Sequence, residues 1–80
     1  MKMKHLDVYE KLKLNICYAR KMRKLSQSEL AEKAGMSRTH ISNIEAPNGT
    51  TIPSLNALID IANALDISLS KLFDFKDFLD

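Results

Sequence analysis

Eighty residues, 45% hydrophobic and 28% charged, suffice for one small globular domain and exclude two. A single cysteine, Cys17, excludes an intramolecular disulfide, and no apolar run approaches the ~18 residues that a membrane span needs. The net charge of +2 hides a division: residues 1–40 hold ten Lys/Arg against four Asp/Glu (+6), residues 41–80 two against six (−4). A basic half suits a polyanion and an acidic half suits facing away from it, although solvated helix faces would carry the same segregation. No segment at the amino end resembles a signal peptide, and the lone cysteine fits a reducing compartment, so a cytoplasmic protein is expected.

Abundant Leu, Ala, Lys and Glu predict helices throughout. Residues 1–6 read as a basic arm. The first helix is expected from Asp7 to about Lys24, with Asp7 as cap and Glu10 in the capping-box position. Leu6, Tyr9, Leu12, Ile16 and Ala19 step at helical spacing along one apolar stripe, and Lys11, Lys13, Arg20, Lys21, Arg23 and Lys24 fall mostly off it. The basic cluster at the carboxyl end complements the helix dipole.

Ser26 with Glu29 three residues later predicts a second capping box, opening a two-turn helix that Gly35 stops. Ser37 caps a third helix, which Pro47 ends near Glu45 or Ala46. Pro47 to Ile52 is a loop with a turn at Asn48-Gly49. Ser54 caps a fourth helix expected to turn Leu55, Leu58, Ile59, Ala62 and Leu65 inward, and Ser68 a fifth that continues toward Phe75 and Phe78. The expected architecture is all-α: five short helices in one domain spanning 1–80, with 74–80 an extension.

No catalytic constellation stands out. His5 and His40 are far apart with no acid–nucleophile frame, and one Cys and two His cannot complete a structural zinc site at ordinary spacing. No glycine-rich phosphate loop is present. Neither an enzyme, a metal, a cofactor nor a small-molecule ligand is therefore expected.

Two short capped helices joined at a glycine are the outline of a helix-turn-helix. Ala31 sits where the two helices approach, Gly35 at the turn, and Leu30, Ala34, Met36, Ile41 and Ile44 are apolar at core spacing. Between them stand polar residues: Arg38, Thr39, His40, Ser42 and Asn43.

The stretch from Leu25 through Glu45 (LSQSELAEKAGMSRTHISNIE) resembles the Cro/repressor (XRE-like) helix-turn-helix family, as does the segment from Pro53 to Leu69. The resemblance covers about residues 12–73 and implies the compact five-helix fold of lambda repressor, a role as a DNA-binding transcriptional regulator, and double-stranded operator DNA as partner. It implies that the third helix lies in the major groove, with Ser37, Arg38, Thr39, Ser42 and Asn43 at base-contact positions. Arg38 has the chemistry to read guanine O6 and N7, and Asn43 to read adenine N6 and N7. Gln27 would hydrogen-bond a phosphate from a helix amino end. Arg20, seven residues before Gln27, would pair with Glu45 and brace the first helix against the third.

Phosphate contact is further expected from Lys24 and Lys33, with His40, Thr50 and Thr51 as weaker candidates; Lys33 also reads as a solvated surface lysine. The loop from Ala46 to Ile52 departs from the family pattern: it is a residue or two longer and lacks the Lys/Arg often found there. The family's dimers meet near the fourth and fifth helices, making Leu69, Phe73, Phe75 and Phe78 homodimer candidates, while completion of the core is an equal reading of the same side chains. Two rival functions share the fold. One is an antitoxin or adaptor without strong DNA affinity, against which the basic first half argues. The other is RNA binding, disfavoured because A-form RNA closes its major groove to a helix.

Overall fold

The computed structural model describes residues 5–75, which form five helices: α1 (Leu6–Met22), α2 (Gln27–Ala34), α3 (Arg38–Glu45), α4 (Leu55–Ala64) and α5 (Leu69–Leu72). No strand occurs among the described residues. The Met1–Lys4 part of the expected arm and the tail residue Phe78 lie outside them.

Three of the four predicted serine caps close their helices. Ser26, Ser37 and Ser54 each accept a hydrogen bond from the backbone N–H three residues on, in Glu29, His40 and Ala57. The Ser26–Glu29 box is reciprocal: Glu29 Oε1 accepts from the Ser26 N–H at 2.8 Å. These bonds from Ser26 hold the Glu29 carboxyl below its ordinary value. A depressed carboxyl contributes stability above its unfolded value and loses it as pH falls through the folded one, so this contribution disappears only in acid.

Two amino-terminal expectations are corrected. Helix α1 starts at Leu6, not Asp7, and its cap is His5, in the left-handed region with no side-chain cap bond. Asp7 therefore sits inside the first turn, and Glu10 spends its carboxylate on a distant loop instead of a capping box. At the other end of the chain α5 stops at Leu72 instead of continuing to Phe75, and Ser68 directs its hydroxyl to Ser70.

Three helices stop the same way. After α1, α2 and α4 a residue with positive φ (Lys24 at 59°, Gly35 at 69°, Asp66 at 56°) turns the chain, and the next N–H reaches back five residues. Leu25 thus donates to the Arg20 carbonyl, Met36 to Ala31 and Ile67 to Ala62. Each donor carries an apolar side chain packed on the core, the hydrophobic contact that accompanies this stop. Only Gly35 announced itself in the sequence. An added Cβ there would meet nothing within 4 Å, so the glycine serves backbone conformation alone. Gly35→Ala is expected to lower the unfolding free energy by about 1–2 kcal/mol, measured by urea denaturation, with Gly35→Asn recovering part of the loss.

The core draws on every helix: Leu12 and Ile16 of α1, Leu30 and Ala31 of α2, Ile41 and Ile44 of α3, Leu58, Ile61 and Ala62 of α4, Leu65, and Leu72 of α5. Full burial of one Leu or Ile side chain is worth about 1.5–3 kcal/mol. The predicted stripe of α1 is right in the middle and wrong at its start, where Leu6 is exposed. The inward face of α4 is rotated from expectation: Ala57 and Ile61 are buried, whereas Leu55 (61% exposed) and Ile59 (38%) face outward. Asn15 of α1 fastens the end of α5 by donating to the Leu72 carbonyl at 2.9 Å.

Candidate nucleic-acid interface

Helix α3 has two sides. Ile41, Ile44 and Glu45 are buried. At 3.6 residues per turn, Arg38, Ser42, Thr39 and Asn43 fall in that order around an arc of about 140° on the opposite side. Arg38, Thr39, His40 and Asn43 are exposed, and Ser42 is half-buried. Ser37, also exposed, is committed to capping through its hydroxyl, 3.1 Å from the His40 nitrogen. The five predicted base-contact residues thus lie along the outer side of a short helix and at its cap, Ser37 to Thr39 at the amino end and Ser42 and Asn43 one turn on.

The angle of that helix is held from below by an ion pair. Arg20 Nε lies 2.8 Å from Glu45 Oε2 and Nη2 lies 2.9 Å from Oε1, a two-pronged pairing of guanidinium and carboxylate. The remaining arm donates to the Leu25 carbonyl at 2.7 Å, in the link between α1 and α2. Both side chains are buried, at 10% and 3% exposure. The hydrogen bonds to Glu45 raise the Arg20 pKa, against the burial that would lower it. Gln27 joins this network by donating Nε2 to Glu45 Oε1 at 3.2 Å. The residue expected to touch a phosphate is therefore also the amino-terminal post of α2, tied to the last residue of α3.

Lys24 and Lys33 are exposed, Thr50 is exposed and Thr51 half-buried. Leu69 and Phe75 pack partly buried against the core, whereas Phe73 remains 42% exposed with its ring edge-to-face on Phe75, centroids 6.4 Å apart.

One buried cation beside the site went unread in the sequence. Lys13, placed off the apolar stripe, is only 3% exposed. Its Nζ donates to the carbonyls of Ala46 (3.3 Å) and Gly49 (3.0 Å) and stands 3.9 Å from Glu10 Oε2. Glu10 Oε1 accepts the Asn48 N–H at 3.2 Å. The loop folds over them as a turn in which the Gly49 N–H bonds the Ala46 carbonyl, with Pro47 second and Asn48 third at φ 60°. The turn is therefore centred one residue earlier than Asn48-Gly49. The lysine sits one residue off a stripe whose neighbours are apolar, and only the loop, 33 and 36 positions away, gives it partners.

A short pair of helices joined at a glycine turn, the second braced from the first helix and presenting polar side chains on its outer face, defines a helix-turn-helix domain of the Cro/repressor class. The chain belongs to the Cro/repressor-type family of helix-turn-helix transcriptional regulators: the family model described as helix-turn-helix matches residues 18–72. It is 37% identical over 67 residues to control protein C.SmaI of Serratia marcescens, covering 84% of this chain and 77% of that one. Its fold matches the restriction-modification controller protein C.AhdI from Aeromonas hydrophila with a TM-score of 0.75 and 31% identity, over 81% of this chain and 96% of that one. It matches SinR, described as the master regulator for biofilm formation and solved in complex with DNA, with a TM-score of 0.70 and 38% identity over 79% and 98%. Several curated relatives are longer: the chain spans 25% of the regulator y4dL of Sinorhizobium fredii and 51% of SinR of Bacillus licheniformis.

Proposed function

We propose that the protein is a non-enzymatic, cytoplasmic regulator of transcription that binds a specific operator as a homodimer, acting as a repressor or autoregulator. The observation that carries this reading is the outward arc of Arg38, Ser42, Thr39 and Asn43 on a helix whose opposite side is buried and braced by Arg20 and Glu45. Such a helix enters the major groove with its amino-terminal residues at base edges. Arg38 reads guanine, Asn43 reads adenine, Thr39 sets its methyl against thymine, and Ser37 and Ser42 supply hydroxyls. Lys24, Lys33, Gln27, His40, Thr50 and Thr51 hold the backbone, which positions the helix without specifying sequence. The similarity to SinR, itself solved with DNA, supports a duplex partner.

Selection of bound sequences from a random DNA pool tests the reading. The expected consensus is two-fold symmetric, with half-site centres about 34–36 Å, one helical turn, apart. A pool that remains unenriched would favour the antitoxin or adaptor alternative.

For the dimer, Leu55 and Ile59 stand one turn apart on α4, and Phe73 follows α5; all three are exposed and lie on or beside the two elements that the family resemblance implies for dimerisation. Leu69 and Phe75 give most of their surface to the core, so they are minor contributors. Leu55→Asp combined with Ile59→Asp is expected to yield a folded monomer by sedimentation velocity, while Leu14→Asp on the outer side of α1 leaves the dimer intact. Retention of the dimer by the α4 variant would move the interface elsewhere.

A further inference from the structure

A loop expected to contact phosphate without a basic side chain of its own is anchored by a buried cation from another helix. Lys13 Nζ reaches the Ala46 and Gly49 carbonyls at 3.3 and 3.0 Å, and its neighbour Glu10 takes the Asn48 N–H. Two consequences follow from the geometry of the chain. Ala46 caps the carboxyl end of α3, whose last turn holds no basic residue, so Lys13 supplies the cation that complements the negative end of that helix. The peptide between Gly49 and Thr50 is trans, so a Gly49 carbonyl turned inward to Lys13 turns the Thr50 N–H outward. Among the described residues that N–H has no backbone partner, and Thr50 is exposed. The fit is close: a Cβ added at Gly49 would stand 3.1 Å from the Ala46 oxygen and 3.4 Å from Lys13 Nζ.

We propose that Lys13, assisted by Glu10, is a positioning residue for DNA binding, which clamps the loop after α3 so that the Thr50 amide and hydroxyl meet a phosphate of the operator backbone. The cation does not touch DNA; it aims neutral donors that do. This inference rests on the reading of α3 as the recognition helix and of Thr50 as a backbone contact.

The test uses the full chain and an operator obtained by selection, titrated by fluorescence anisotropy over a range of KCl, with duplexes carrying one methylphosphonate at a time. Lys13→Met is expected to weaken binding about tenfold on operator and unrelated duplex alike, the lower range for loss of a charge-assisted hydrogen bond. Its salt slope stays at the wild-type value, whereas Lys24→Ala, which removes a direct contact, lowers the slope by about one. One methylphosphonate position weakens the wild-type complex and has no further effect on Lys13→Met. Should Lys13→Met fail to fold by circular dichroism, Gly49→Ala, which crowds the same turn while leaving every charge in the chain, is expected to lose sensitivity to that same phosphate.

Wild-type affinity in a folded Lys13→Met, full retention of every methylphosphonate effect, or a slope reduced by about one would each overturn the proposal, the last by making Lys13 itself the contact. If Arg38→Ala also binds operator like wild type, the recognition-helix reading fails; if Arg38→Ala loses specificity as expected, only the loop inference falls.

Discussion

Glu45→Ala is expected to remove about 3–5 kcal/mol from the unfolding free energy, the cost of stripping one partner from a buried ion pair. The reason lies in what remains. Arg20 keeps its charge at 10% side-chain exposure, loses both prongs of its pairing, and retains the Leu25 carbonyl and a weak contact to Cys17 Sγ at 3.7 Å, neither of which is a counter-charge of the carboxylate's strength. Gln27 loses its acceptor in the same step. A domain of this size has about 5–15 kcal/mol in total, so the variant should be close to unfolding at physiological temperature. Urea denaturation followed by circular dichroism measures it, and Arg20→Ala should fall in the same range. Replacing both residues by Met should recover much of the loss, because the large term is the uncompensated charge and not the pair's net worth. If the double variant is as unstable as either single one, the pair itself carries the stability.

Arg38→Ala is expected to leave stability nearly unchanged and to lower operator affinity by about 1–3 kcal/mol, up to roughly 150-fold, with little loss on unrelated duplex. Arg38 is exposed at the first turn of α3, so its removal opens no cavity. The comparison that decides its role is Lys24→Ala, whose loss should be uniform across sequences and accompanied by a shallower dependence on salt. Equal losses on operator and unrelated duplex would make Arg38 a phosphate contact.

These two variants separate what a local pattern reveals from what it conceals. The helix-turn-helix was legible because its signals are short-ranged. Ser26 and Ser37 cap their helices through N–H groups three residues on, and Gly35 supplies a positive φ that an ordinary side chain resists. The spacing of Leu30, Ala31, Ile41 and Ile44 puts them on the faces that meet in the core. The Arg20–Glu45 pair spans 25 positions and was reached through family resemblance, which supplies a long-range contact that spacing cannot. The stops at Lys24 and Asp66 were missed because Lys does not favour positive φ and Asp adopts it only occasionally, so neither marks a stop as glycine does; a core contact one residue later, by Leu25 and by Ile67, selects that conformation.

By itself the sequence determined five helices, the capped pair at their centre, the polar outer face of α3 and the division of charge, all set by side chains within a turn or two of one another. Tertiary structure alone decided which face of α4 lies inside, and so exposed Leu55 and Ile59. It also decided that α5 ends at Leu72, where α1 reaches its carbonyl through Asn15. Above all it turned Lys13 from a surface lysine into the anchor of a loop, since a buried cation is tolerated only where distant carbonyls converge on it, and that convergence exists only once α1 and the end of α3 have packed together.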